Sequence, residues 1–188
     1  MLLPSNFYNF LKKNNIEFFV GVPDSLIKGF CNFLSKNLNK KKHIVAANEG
    51  TAIAIASGYN IAKNKIPFVY LQNSGLGNCI NPILSLADKK VFKIPMIIMV
   101  GWRGQPGTLD EPQHLSQGQV TIPLIKSLRK KYKILDGNPI SDFKKIKELI
   151  SLAKKIASRY LLLLKKTLLS LNKILIKKNL NYYLEKKQ

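Results

Sequence analysis

Short, almost wholly apolar runs recur along this chain at intervals that leave room for one helix between each pair. Phe18–Val20, His43–Ala47, Phe68–Leu71, Met96–Val100, Tyr132–Leu135 and Tyr160–Leu164 all read as strands. A strand apolar on both sides must be covered on both sides, and a helix inserted between successive strands makes them parallel. The expected fold is therefore α/β, a six-stranded, mainly parallel sheet with helices on both faces. Between the strands, Asp24 or Ser25 caps a helix carrying Leu26, Ile27, Phe30, Phe33 and Leu34 on one side. A second helix begins at Asn48-Glu49, and a third spans Leu76–Leu86 with Pro82 early in it or at a kink. Thr121–Lys130 and Ser141–Ile156 complete the set. Residues 1–166 form the expected domain. Residues 167–188, with Leu168, Leu171, Ile174 and Leu175 among Lys and Asn, are expected to be a basic C-terminal helical tail.

In parallel sheets, ligands gather at the carboxyl ends of the strands. Gly21–Asp24, Asn48-Glu49, Gln72–Gly75 and Gly101–His114 should all emerge there. Residues 101–120 read as one long polar loop rich in Gly and Pro, and long ordered loops tend to carry function.

The net charge of +21 comes from 31 basic residues against 10 acids. Only Arg103, Arg129 and Arg159 are arginines, whereas proteins that read nucleic acid favour the arginine fork. The excess therefore reads as a solvated lysine surface with no specific nucleic-acid partner. Cys31 and Cys79 lack metal or redox spacing, and His43 and His114 stand alone, so no metal site is expected. No apolar stretch is long enough for a membrane span, no leader is evident, and a cytoplasmic setting is expected. Phosphate-loop and nucleophile-elbow motifs are missing.

Glu49 is the one acid between Asp24 and Asp88, and it opens a helix of small apolar residues. It either complements the helix N-terminus, which favours negative charge, or its proton is used. Among Ala and Ile it is expected to be drawn out of water, where the protonated form is favoured. Asp24 reads either as a helix cap or as a proton carrier. His114 reads as an exposed loop histidine or as a group exchanging protons near neutral pH.

Four segments, taken in order and spacing, carry a resemblance: Phe19-Val20-Gly21-Val22-Pro23-Asp24-Ser25, Ala46-Ala47-Asn48-Glu49-Gly50, Leu71-Gln72-Asn73-Ser74-Gly75-Leu76-Gly77-Asn78, and Gly101-Trp102-Arg103-Gly104 with Asp110-Glu111-Pro112-Gln113-His114. Together they resemble the N-terminal, pyrimidine-binding (PYR) half of the phosphonopyruvate and sulfopyruvate decarboxylases, a group of thiamine diphosphate (ThDP) enzymes. The resemblance runs from about Phe7 to about Lys166. It implies that Glu49 hydrogen-bonds a ring nitrogen of the aminopyrimidine, and that Asn73, Ser74 and Gly75 contribute to cofactor binding. It also implies that Asp24 and His114 relay protons, with Arg103 and Gln113 facing an anionic 2-keto-acid substrate. ThDP and Mg2+ are the implied cofactors. No Gly-Asp-Gly motif is present; Leu135-Asp136-Gly137-Asn138 lacks its first Gly. The diphosphate and Mg2+ are therefore expected on a partner chain with a diphosphate-binding domain, in a homo- or hetero-oligomer. The alternative is a non-catalytic binding or assembly module.

Overall fold

The computed structural model describes residues 3–156 and 159–164. The expected tail lies outside the described residues. Six helices and six strands alternate as α1 (Pro4–Lys13), β1 (Phe19–Gly21), α2 (Lys28–Asn37), β2 (His43–Val45), α3 (Glu49–Lys63), β3 (Phe68–Gln72), α4 (Leu76–Asn81), β4 (Met96–Gly101), α5 (Pro112–Ser127), β5 (Lys131–Leu135), α6 (Pro139–Ile156) and β6 (Arg159–Leu164). The strands form one sheet in the order β2-β1-β3-β4-β6-β5, and every pairing is parallel.

Period-2 alternation divides the strand residues between two cores. Phe19, Phe68, Tyr70, Ile97 and Met99 face α1, α2 and α6, where they meet Phe7, Leu11, Phe30, Ile146 and Leu149. Val20, Val69, Leu71, Ile98 and Val100 face α3, α4 and α5, where they meet Ala52, Ile53, Leu76, Cys79 and Ile125. Small residues along α3 let it lie close to the sheet; large ones on the other side form an aromatic cluster of Phe7, Phe19, Phe30 and Phe68.

The connection through α2 carries the chain outward from β1 to β2, and the one through α3 carries it back past β1 to β3. Neighbouring strands β1 and β3 thus send their exits to opposite sides, which opens a crevice at their carboxyl ends.

Three expected segments differ in the structure. The loop after β4 is shorter than residues 101–120, because α5 starts at Pro112. Proline suits that position, where no intrahelical donor is needed. Gln113 and His114, expected in a loop, therefore lie in the first turn of α5. The helix after Asp24 begins with a 3-10 turn at Ser25–Ile27. The single helix expected over Leu76–Leu86 divides at Pro82 into α4 and a π-helical turn, Pro82–Leu86.

Among the buried polar groups, His43 is 8% exposed and its Nε2 lies 2.7 Å from the Tyr70 hydroxyl. Burial holds its pKa below the ordinary 6.5. A histidine buried neutral contributes stability that is complete above pH 6.5 and is lost as pH falls through the lower folded-state value. Thermal unfolding from pH 7.5 to 5 should show a falling melting temperature in the wild type. His43→Gln should flatten that slope; an unchanged slope would assign it to other groups.

Candidate active site

Asp24 follows β1 and caps the 3-10 turn, its Oδ2 accepting from the Leu26 N–H at 3.0 Å. It is 7% exposed, and its Oδ1 is buried with no hydrogen-bond partner. Burial raises its pKa above the ordinary 3.8, opposed by the backbone N–H groups of Leu26 and Ser25 and by the charges of Arg103 and His114. A carboxyl pushed towards its protonated form with one oxygen unspent can give or take a proton. Gly101, the last residue of β4, lies directly against it, and a Cβ there would collide with Oδ2.

Asp24→Asn keeps the cap and removes a buried charge. The folded carboxyl holds its proton more tightly than the unfolded one, so stability is lost as pH rises from the ordinary 3.8 through the raised value. The variant should melt above the wild type at pH 7.5, with the gap closing towards pH 4. A melting temperature below the wild type at pH 7.5 would refute this.

Glu49 is the first residue of α3, whose N-cap Asn48 accepts from the Thr51 N–H at 2.8 Å. The Asn78 side-chain amide donates to Glu49 Oε2 at 2.8 Å. Gly75 abuts the Glu49 carboxyl, and a Cβ there would overlap it. The carboxyl thus lies in a cradle formed by the turn after β3. In this chain it is half-buried rather than enclosed as the sequence suggested, because the small residues around it belong to one side of the helix only. Asn78 was not singled out from sequence, although it closes the motif that contains Asn73 to Gly75.

Asn73 is fully buried. Its amide donates to the Arg103 carbonyl at 2.9 Å and to Thr121 Oγ1 at 2.8 Å, and its Oδ1 accepts from the Arg103 N–H at 3.1 Å. Its side chain brackets the ends of β3 and β4 against α5. Ser74 is exposed and accepts from the Gln72 side chain at 2.7 Å. Gln113 is also exposed.

Arg103 clamps the loop after β4. Its Nε donates to Asp110 Oδ1 and Oδ2 at 3.1 and 3.0 Å, its Nη2 donates to Asp110 Oδ1 at 2.5 Å, and its Nη1 donates to Ser25 Oγ at 2.6 Å. Burial would raise the Asp110 carboxyl, but hydrogen bonds from Arg103 and from the Gly104 and Glu111 N–H groups hold it well below the usual range. Seven residues separate this pair in sequence, with no local pattern to announce it. Two of the five guanidinium N–H bonds are not used in the clamp. The loop is thereby held across the crevice beside Asp24, with His114 near enough to act on the Asp24 charge. The structure so brings together Asp24, Arg103 and His114, and separately Glu49 and Gly75; Asn73 joins the two turns.

Among the described residues, no three His, Cys, Asp or Glu side chains cluster to hold a metal ion. No helix among them is long and apolar enough to cross a membrane.

Residues 5–123 match the family described as thiamine pyrophosphate enzyme, N-terminal TPP binding domain. A phosphonopyruvate decarboxylase of Streptomyces hygroscopicus is 33% identical over 115 residues, covering 58% of this chain and 28% of that relative. The sulfopyruvate decarboxylase subunit alpha of Methanococcus maripaludis is 31% identical over 125 residues, covering 66% of this chain and 72% of that subunit. The chain thus spans little more than a quarter of the first of these relatives and most of the second. The crystal structure of benzoylformate decarboxylase from Polynucleobacter necessarius matches with a TM-score of 0.66 at 22% identity, over 88% of this chain and 30% of that one, a likeness of fold. The match covers well over half of the chain and includes Asp24, Glu49 and the turn after β3, so the chain belongs to the thiamine pyrophosphate enzymes through their N-terminal TPP-binding domain.

Proposed function

We propose that this domain is the pyrimidine-binding half of a ThDP-dependent decarboxylase that converts phosphonopyruvate to phosphonoacetaldehyde and CO2. The observation that carries the reading is the Glu49 carboxyl at the first turn of α3, steadied by Asn78 and cradled by Gly75. The residues fit the cofactor's ring. Glu49 supplies a carboxyl to a pyrimidine nitrogen, and the backbone around Ser74 and Gly75 leaves that carboxyl unobstructed. When bound, ThDP supplies the electron sink that makes loss of CO2 from a 2-keto acid feasible.

The remaining side chains divide the other tasks. Asp24, with Oδ1 unpartnered, takes up and returns a proton where charge develops. His114, in the first turn of α5, exchanges protons with the same space. Arg103 keeps the loop closed through Asp110 and turns its two remaining N–H bonds towards the substrate's anionic end, with the Gln113 amide beside it. The diphosphate and Mg2+ fall to a diphosphate-binding domain on a partner, in a homo- or hetero-oligomer that encloses Glu49.

A second reading, sulfopyruvate as substrate with this chain as an alpha subunit, is favoured by the extent of the match to the M. maripaludis subunit. The test is to assemble the chain with a diphosphate-binding half, ThDP and Mg2+, and to measure aldehyde formation from each acid. Faster turnover of phosphonopyruvate supports the first reading, and faster turnover of sulfopyruvate the second. Tight assembly without cofactor-dependent turnover of either would make the domain a binding or assembly module.

A further inference from the structure

At the amino ends of the strands, opposite the candidate active site, lies a cavity of about 850 Å³. The segment before β4 and the junction between α5 and β5 form its walls. Lys89, Lys90, Arg129, Lys130 and Lys131 line it, with Asp88 as the one acid among the described residues. Asp88 is already engaged: it takes the Lys130 ammonium at 2.9 Å and the Lys90 N–H at 3.1 Å. Asp88 offsets one of these five positive charges, which leaves an excess of four among the described lining residues. Lys89, Lys90, Arg129 and Lys131 are exposed to solvent, whereas Lys130 is held with its side chain 8% exposed.

Concentrating that charge in a concave, partly apolar space costs self-repulsion, and the low-dielectric walls strengthen its field towards an anion. A net excess of about four positive charges is matched by a triphosphate, not by a single phosphate. Three lysines and one arginine fork suit oligophosphate oxygens, the lysines as point charges and the arginine as a planar donor set. Leu84 and Val91, 45% and 44% exposed, add an apolar wall.

We propose that this cavity binds an oligophosphate, either free or carried by a nucleoside, at a site separate from the one that faces the ThDP ring. The proposal is independent of the substrate reading above.

Isothermal titration of the full chain with sodium tripolyphosphate, ATP and adenosine tests it. Tripolyphosphate and ATP should each saturate one site per chain and weaken at least tenfold between 50 and 300 mM salt, because exposed charges are screened. Lys89→Ser combined with Arg129→Asn and Lys131→Ser should weaken both at least tenfold. Asn is chosen because Arg129 has φ 52°, a left-handed conformation that Asn tolerates. A control with Lys12, Lys36 and Lys40 each changed to Ser removes the same charge elsewhere and should stay within twofold of the wild type. ATP binding tenfold tighter than tripolyphosphate would identify the nucleoside-linked form, and equal affinities the free one. No saturable binding, or equal weakening in the two triple variants, would overturn the proposal.

Discussion

Glu49→Gln is expected to lower ThDP-dependent turnover by about 10²–10⁴-fold in the assembled enzyme, the range set by loss of one positioned acid. The substitution is isosteric, and a Gln carbonyl can still accept from Asn78, so the first turn of α3 keeps its shape. What disappears is an ionisable proton at the ring nitrogen. If Glu49 merely complemented the helix N-terminus, the cost would be about 0.3–1 kcal/mol of stability with turnover intact. Parallel measurement of melting temperature and kcat separates the two. Gly75→Ala adds a second reading of the same site. Its Cβ would overlap the Glu49 carboxyl and swing it aside, so turnover should fall while the carboxyl itself is retained. Full activity in Glu49→Gln would end the proposed mechanism.

The largest loss of stability is expected from Asn73→Ala. The amide is fully buried and bonded to Arg103 and Thr121, with a weaker approach to the Gln117 carbonyl at 3.4 Å. Truncation orphans the Arg103 carbonyl, leaves the Arg103 N–H only the Gly101 carbonyl at 3.2 Å, and opens a void. Each buried group left unpaired costs about 1–3 kcal/mol, so the sum should reach about 3 kcal/mol or more. For a chain of this size that corresponds to a drop of roughly 6–12 °C in melting temperature. A residue acting only on the cofactor would give the opposite pattern, with an unchanged melting temperature and a raised ThDP requirement. The bracket also sets the loop that Arg103 clamps, so the variant should lower kcat even below its melting transition.

Much of this was legible in the residues. The six apolar runs appear as six parallel strands, with ends shifted by one or two residues; the central β3 and β4, buried on both sides, are written in nearly continuous apolar residues. The four segments in order led to the family. The start of α5 was not legible, since its buried side is Gly118, Thr121 and Ile125, too small and polar to show a helical period. Helix α1 shows only one apolar pair four residues apart, Phe7 and Leu11, both buried. The fate of individual polar side chains was least visible. Asn73, in a turn that looks made for a ligand, points into the protein, and Arg103 is largely occupied by Asp110.

The layered α/β plan, the end of the sheet where chemistry collects and the acid opening α3 are written in the order of the residues, because each follows from local apolar pattern and short-range turn chemistry. Which polar groups stay available is settled by packing. Availability depends on partners far away in the chain: Gly101 against Asp24, Gly75 against Glu49, Thr121 against Asn73. Those contacts arise from how strands and helices pack, and hydrogen bonds and buried charges are settled by that packing.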